Sequence, residues 1–88
     1  MGFIEEAAKN FGLNIGSAFS GFSLFMFDGK AVYIEGIKRL GTIGEGAVKV
    51  FVARGAVTVA GEDLRVKEIS RDDVAVEGRI TGVNIEWL

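Results

Sequence analysis

Carboxylates are the side chains of this sequence best suited to chemistry. Glu35, Glu77 and Glu86 stand inside alternating runs, Asp72-Asp73 lies in a polar stretch, and Glu62-Asp63 follows a glycine. Two carboxylates held against an apolar pocket would form a general acid/base pair, because burial and mutual repulsion drive their pKa values apart. No spacing here sets two of them that way. Glu62-Asp63 lacks the regularly spaced acids of a calcium loop. The hydroxyls of Ser17 and Ser20 have no histidine to activate them, since the chain contains neither histidine nor cysteine. That composition removes thiolate zinc sites, cysteine nucleophiles, disulfides and the usual pH-switching side chain. The run Gly41 to Gly46, GTIGEG, carries an acid where a phosphate cradle needs bare amides and a following helix. The expectation is therefore a protein without catalytic residues, metal or cofactor. A small ligand-binding domain is the competing reading, and it requires a pocket built round Glu35 or Glu77.

Most of these acids neighbour a Val, Leu or Ile, and the period of that neighbourhood is two. In LRVKEI, Leu64 and Val66 point one way and Arg65 and Lys67 the other; in VAVEGRI, Val74, Val76 and Ile80 oppose Glu77 and Arg79. Charge alternating with apolar residues is what a sheet with one wet face produces. Arg65 or Lys67 opposite Glu77 or Arg79 would give surface ion pairs. Upstream, FSLFMF and AVYIEGI flank Asp28-Gly29, a strong hairpin signal because both residues tolerate positive φ. KRLGTI ends at Gly44-Glu45-Gly46. Val48, Val50 and Val52 then share one face, and Arg54-Gly55 turns the chain into AVTVA, with Val57 and Val59 inward. Gly61-Glu62-Asp63 reads as a further turn. Two breaks in alternation predict a bulge or strand end near Lys67 to Ile69 and a bulge or bend at Thr81-Gly82.

Phe3, Ala7 and Phe11 fall on one helical stripe, with Glu5 four residues before Lys9 and Gly12 as a stop. The expected organisation is one domain over 1–88: a short helix in 1–12, a Gly/Ser-rich connection over 13–21, and a β-domain over 22–88. The fold class is all-β, a meander of seven or eight short antiparallel strands forming a small sandwich or partly open barrel. An uncharged run from Asn10 to Phe27 sits at the lower length limit of a membrane span, but its serines, glycines and acidic flank argue against one. Glu6 stands where a myristoylation signal needs Ser or Thr.

With 10 basic and 12 acidic residues, the net charge of −2 lacks the footprint of a nucleic-acid binder. An 88-residue chain buries a modest fraction of its surface, so association with itself is expected. FSLFMF points the same way, since Phe25 and Phe27 oppose Phe22, Leu24 and Met26 and would face water from a strand. Phe51 lies out of phase with its valine row and adds to the apolar surface. The candidate interface residues are thus Phe3, Phe11, Phe25, Phe27 and Phe51.

The runs FSLFMFDGKAVYIEGIKRL and AVKVFVARGAVTVAGEDLRVKEISRDDVAVEGRITGVNIEW resemble the YabP/YqfC family of sporulation proteins. The family's Ile-Glu strand appears as Tyr33-Ile34-Glu35. Its G-x-L-x-I-x-G-x-x-L-x-I-K-x-I stretch appears from Gly55 to Ile69, and its closing I-x-I-E-G-x-I from Val74 to Ile80. The chain departs from the family where Asn-His would follow Ile-Glu, having Gly36-Ile37. The resemblance implies a small non-enzymatic all-β protein made during endospore formation, cytoplasmic in the mother cell, acting with itself and with a membrane-bound sporulation protein, with peripheral membrane association open. A scaffold polymerising through strand edges is the alternative.

Overall fold

A computed structural model describes residues 21–88. The expected helix in 1–12, with Phe3 and Phe11, and the connection up to residue 20 lie outside the described residues. Six antiparallel strands follow: β1 (Ser23–Phe27), β2 (Ala31–Glu35), β3 (Arg39–Ile43), β4 (Ala47–Val52), β5 (Gly55–Glu68) and β6 (Asp73–Trp87). They form one sheet in the order β1-β2-β6-β5-β4-β3. All-β architecture is as expected, but the number of strands and the simple meander are not. β2 has β6 as its second neighbour, and β3 lies at the far edge.

This order forces the sheet to curl. Glu35 and Arg39 are joined by only Gly36, Ile37 and Lys38, a reach of at most about 14 Å. Four strand spacings in a flat sheet come to roughly 19 Å. The curl is visible in the bonds of the crossing. The N–H groups of Gly36 and Ile37 both donate to the Asp72 carbonyl (3.0 and 2.9 Å), and the Lys38 N–H donates to Phe51 on β4 (2.7 Å). β6 tells the same story: its 15 residues would extend about 50 Å if straight, whereas the longest dimension of the described residues is 36 Å.

Bulges supply the bends. Ile80 pairs with Gly61 and Gly82 with Ala60, leaving Thr81 as an extra residue in β6. Glu62 pairs with Arg79 and Arg65 with Glu77, so Asp63 and Leu64 together face Gly78. Each bulge reverses the parity of its strand. Inward residues run Val57, Val59 and then Leu64 on β5, and Val74, Val76 and then Val83 on β6. The Thr81 irregularity was legible in the sequence. Gly61-Glu62-Asp63 was not a turn but a bulge in a continuous strand, and with the continuation of β6 past Gly82 this reduces the expected seven or eight strands to six. Near Lys67 to Ile69 the predicted irregularity is the end of β5 at Glu68.

Folded across these bulges, the sheet covers its own inner face. Val32, Ile34, Val48, Val50, Val57, Val59, Val74 and Val76 are fully buried, with Phe22, Leu24, Leu40, Val66, Ile80 and Val83 packed around them. β-Branched side chains suit this arrangement because their restricted χ1 fits a pleated surface. Burial of each stabilises the fold by about 1.5 to 3 kcal/mol relative to exposure. Among the described residues no polar or charged side chain is buried.

Candidate functional site

The first hairpin forms as its sequence requires. Asp28 and Gly29 take φ of 51° and 63°, and the Lys30 N–H donates to the Phe27 carbonyl at 2.8 Å. With Leu24 opposite Ile34 and Met26 opposite Val32 on the core side, Phe25 and Phe27 are turned to the outer face. Phe27 is 58% exposed. Phe25 is half-buried against Tyr33, its partner on β2, with ring centroids 6.3 Å apart and planes inclined at 46°. Phe25, Phe27, Tyr33 and Glu35 line a shallow, mostly apolar depression.

Polar groups border it. The Tyr33 hydroxyl donates to Asp73 Oδ2 at 3.3 Å, and Ser70 Oγ donates to the same oxygen at 2.9 Å. Burial raises the Tyr33 pKa first; the negative charges of Asp73 and Glu35 and the hydrogen bond to Asp73 push it further up. The acids beyond are tied to cations on other strands, adjacent for Glu77 and Glu62 and one strand removed for Glu86. Lys67 Nζ lies 3.3 Å from Glu77, Arg79 3.7 Å from Glu62, and Lys49 3.8 Å from Glu86. The first is among the cross-strand pairs expected from the alternation, and the Arg79–Glu62 pair is a consequence of the strand continuing through Glu62. Glu77 also borders a separate open depression with Asp63, Arg65 and Gly78. The structure therefore does not bring Glu35 and Glu77 into one site.

Phe51 is not part of the hairpin surface. It sits on β4, with β5, β6 and β2 between it and β1, and its ring is capped by the Arg39 guanidinium 4.0 Å from the centroid and by Lys49 at 5.4 Å. This cation–π arrangement occupies the face that the broken phase of the strand exposes. A second apolar surface was not anticipated. Ile85 and Trp87 stay on the inner side of β6 but are 41% and 61% exposed, and Phe22 packs on Trp87 with centroids 5.9 Å apart. The run Val83, Ile85, Trp87 was the available signal. Asp73, one of the candidate carboxylates, proves to be the shared acceptor of Tyr33 and Ser70.

These features define a small β-domain of one folded-over antiparallel sheet, with aromatic rings presented on its outer face. The family model for the YabP family matches residues 21–86. The chain belongs to the YabP family. No curated protein and no solved structure matches it. The motif glycines have a structural meaning here. Gly78, in Val74 to Ile80, has φ of 140°, and a Cβ there would meet the Asp63 carbonyl at 2.8 Å. It is the residue opposite the Asp63 bulge, where a side chain would block the fold of the sheet.

Proposed function

We propose that the chain is a non-enzymatic, sporulation-associated β-domain that acts in the mother-cell cytoplasm by associating with itself and docking on a membrane-bound sporulation protein. Membership of the YabP family supports the sporulation role. The observation that carries the contact role is the outer face of the first hairpin, where Phe25, Phe27 and Tyr33 form an apolar surface that a domain of this size does not use for its own core. Light scattering on the purified full chain tests the reading. A mass that rises from one subunit to a defined oligomer with concentration is the expected result. A single subunit at every concentration would remove self-association from the proposal. For the docking half, a pull-down from sporulating mother cells should recover a membrane protein with the parent chain and lose it with Phe27→Ser.

A further inference from the structure

Strand margins without a neighbour are where sheets join, and natural sheets protect them with charge, proline or bulges. Among the described residues, β3 has Arg39 and an irregular register between Leu40 and Ile43. The far half of β5 carries Arg65, Lys67 and Glu68, and the far half of β6 carries Glu86 and the Thr81 bulge. β1, with the sequence SLFMF, has no charge, no proline and no bulge. Among the described residues it is the margin without such protection.

Resting on self-association as the mode of action, we infer that β1 is the dimer contact and pairs antiparallel with β1 of a second copy about a two-fold axis through Phe25. The backbone phase supports this register. The Phe27 carbonyl accepts from Lys30, so it points toward β2. By alternation the N–H and C=O groups of Phe25 do too, which leaves those of Leu24 and Met26 on the open margin. An antiparallel partner centred on Phe25 sets Leu24 against the second Met26 and exchanges these backbone bonds in both directions. Phe25 meets its own counterpart across the non-hydrogen-bonded position. Side-chain faces also agree. Leu24 and Met26 continue the inner face, covering Met26, which is 48% exposed. The outer face becomes a row of four rings, Tyr33 and Phe25 from each copy. Neutral matches neutral, and the contact is isologous, so it closes at two subunits instead of propagating.

The absence of native cysteine makes the test direct. Non-hydrogen-bonded antiparallel partners have Cα atoms about 4.5 Å apart, inside the range a disulfide spans. Full-length Phe25→Cys should be converted by mild oxidation to a covalent dimer, whereas Thr42→Cys on the β3 margin should stay monomeric on a non-reducing gel. Met26→Lys, checked for a parent-like circular dichroism spectrum, should lose at least tenfold in dimer affinity by light scattering, and Thr42→Lys should not. If the parent chain dimerises but Phe25→Cys does not cross-link, β1 pairing is wrong while self-association stands. Cross-linking through Thr42→Cys, or growth beyond two subunits, would also overturn it. A parent chain that is monomeric throughout removes the underlying reading itself. Should Phe25→Cys remain uncrosslinked until residues 1–20 are deleted, the margin belongs to the chain's own N-terminal segment and the inference is wrong.

Discussion

The Tyr33 hydroxyl donates to Asp73 Oδ2 across the β2–β6 ladder, joining the outer aromatic surface to the residue at which β6 begins. Ionising Tyr33 would cost both that bond and a repulsion with the carboxylate. Its pKa is raised above the ordinary 10.0, with burial as the largest cause. The unfolded chain therefore loses this proton first. The contribution is fully present below pH 10 and is lost as pH rises through the folded-state value. In urea unfolding followed from pH 9 upward, the midpoint of the parent should fall more steeply than that of Tyr33→Phe. As this is the chain's one tyrosine, the phenolate absorbance reports it directly, and a midpoint at or below 10 would refute the prediction.

Backbone geometry at the β5 bulge predicts an asymmetry between two glycines of β6. Gly78 holds a φ of 140° with the Asp63 and Glu62 carbonyls 2.8 and 3.0 Å from where a Cβ would stand, whereas nothing lies within 4 Å of that position at Gly82. Gly78→Ala should destabilise the fold by about 1 to 3 kcal/mol from the dihedral alone. Gly82→Ala should be neutral or slightly stabilising, because alanine restricts the unfolded chain. Denaturant midpoints with unchanged slopes would report both.

What could be read in advance followed from period and turn chemistry. Val48, Val50, Val52, Val57, Val59, Val74 and Val76 lie inward as alternation demands, and Asp28-Gly29 makes the hairpin it signals. The parity reversal after Asp63 was equally visible, but a reversal alone does not distinguish a turn from a bulge. The distinction depends on Gly78 facing Asp63 from another strand, and nothing local to residues 61–63 contains that. The same limit applies at Phe51: its wrong phase is written in the sequence, while its cover depends on Arg39 being its partner across β3 and β4. Phe25 and Phe27 were legible as outward rings because strict alternation holds throughout β1. Asp73 was not, since its role needs Tyr33 brought beside it by the non-sequential pairing of β2 with β6.

Packing and charge should separate cleanly in size. Ile34 is fully buried, so Ile34→Ala removes transferred area and leaves a cavity, at a cost of about 2 to 5 kcal/mol. For a domain whose whole stability is on the order of 5 to 15 kcal/mol, that is a large fraction. Lys67 and Glu77 form an ion pair in which both side chains remain largely in water, 65% and 45% exposed. Lys67→Ala should change stability by less than about 1 kcal/mol, and added salt should erase the difference. Chemical denaturation of the two variants at low and high salt measures both. A loss at Lys67 approaching that at Ile34 would mean that the outer face does more than stay wet.

Deletions across β6 test whether Thr81 is the residue that resets the strand. Ile80 faces Gly61, Gly82 faces Ala60 and Val83 faces Val59, with Thr81 unmatched. Removing Thr81 leaves those pairs available in a regular ladder, so Val83, Ile85 and Trp87 keep their inner positions and the loss is confined to the local bend. Removing Asn84 also shortens β6 by one residue but acts beyond the bulge. It turns Ile85 and Trp87 outward and brings Glu86 to the inner side, away from Lys49, with which it now pairs at 3.8 Å. A one-residue slip exchanges every side chain beyond it, so the apolar contacts of Ile85 and Trp87 on the inner side are lost and a carboxylate takes the place of Ile85 beside Val57. The Thr81 deletion should therefore remain folded at a denaturant midpoint well above that of the Asn84 deletion. Equal midpoints would show that the pairing of β5 with the end of β6 does not depend on the bulge.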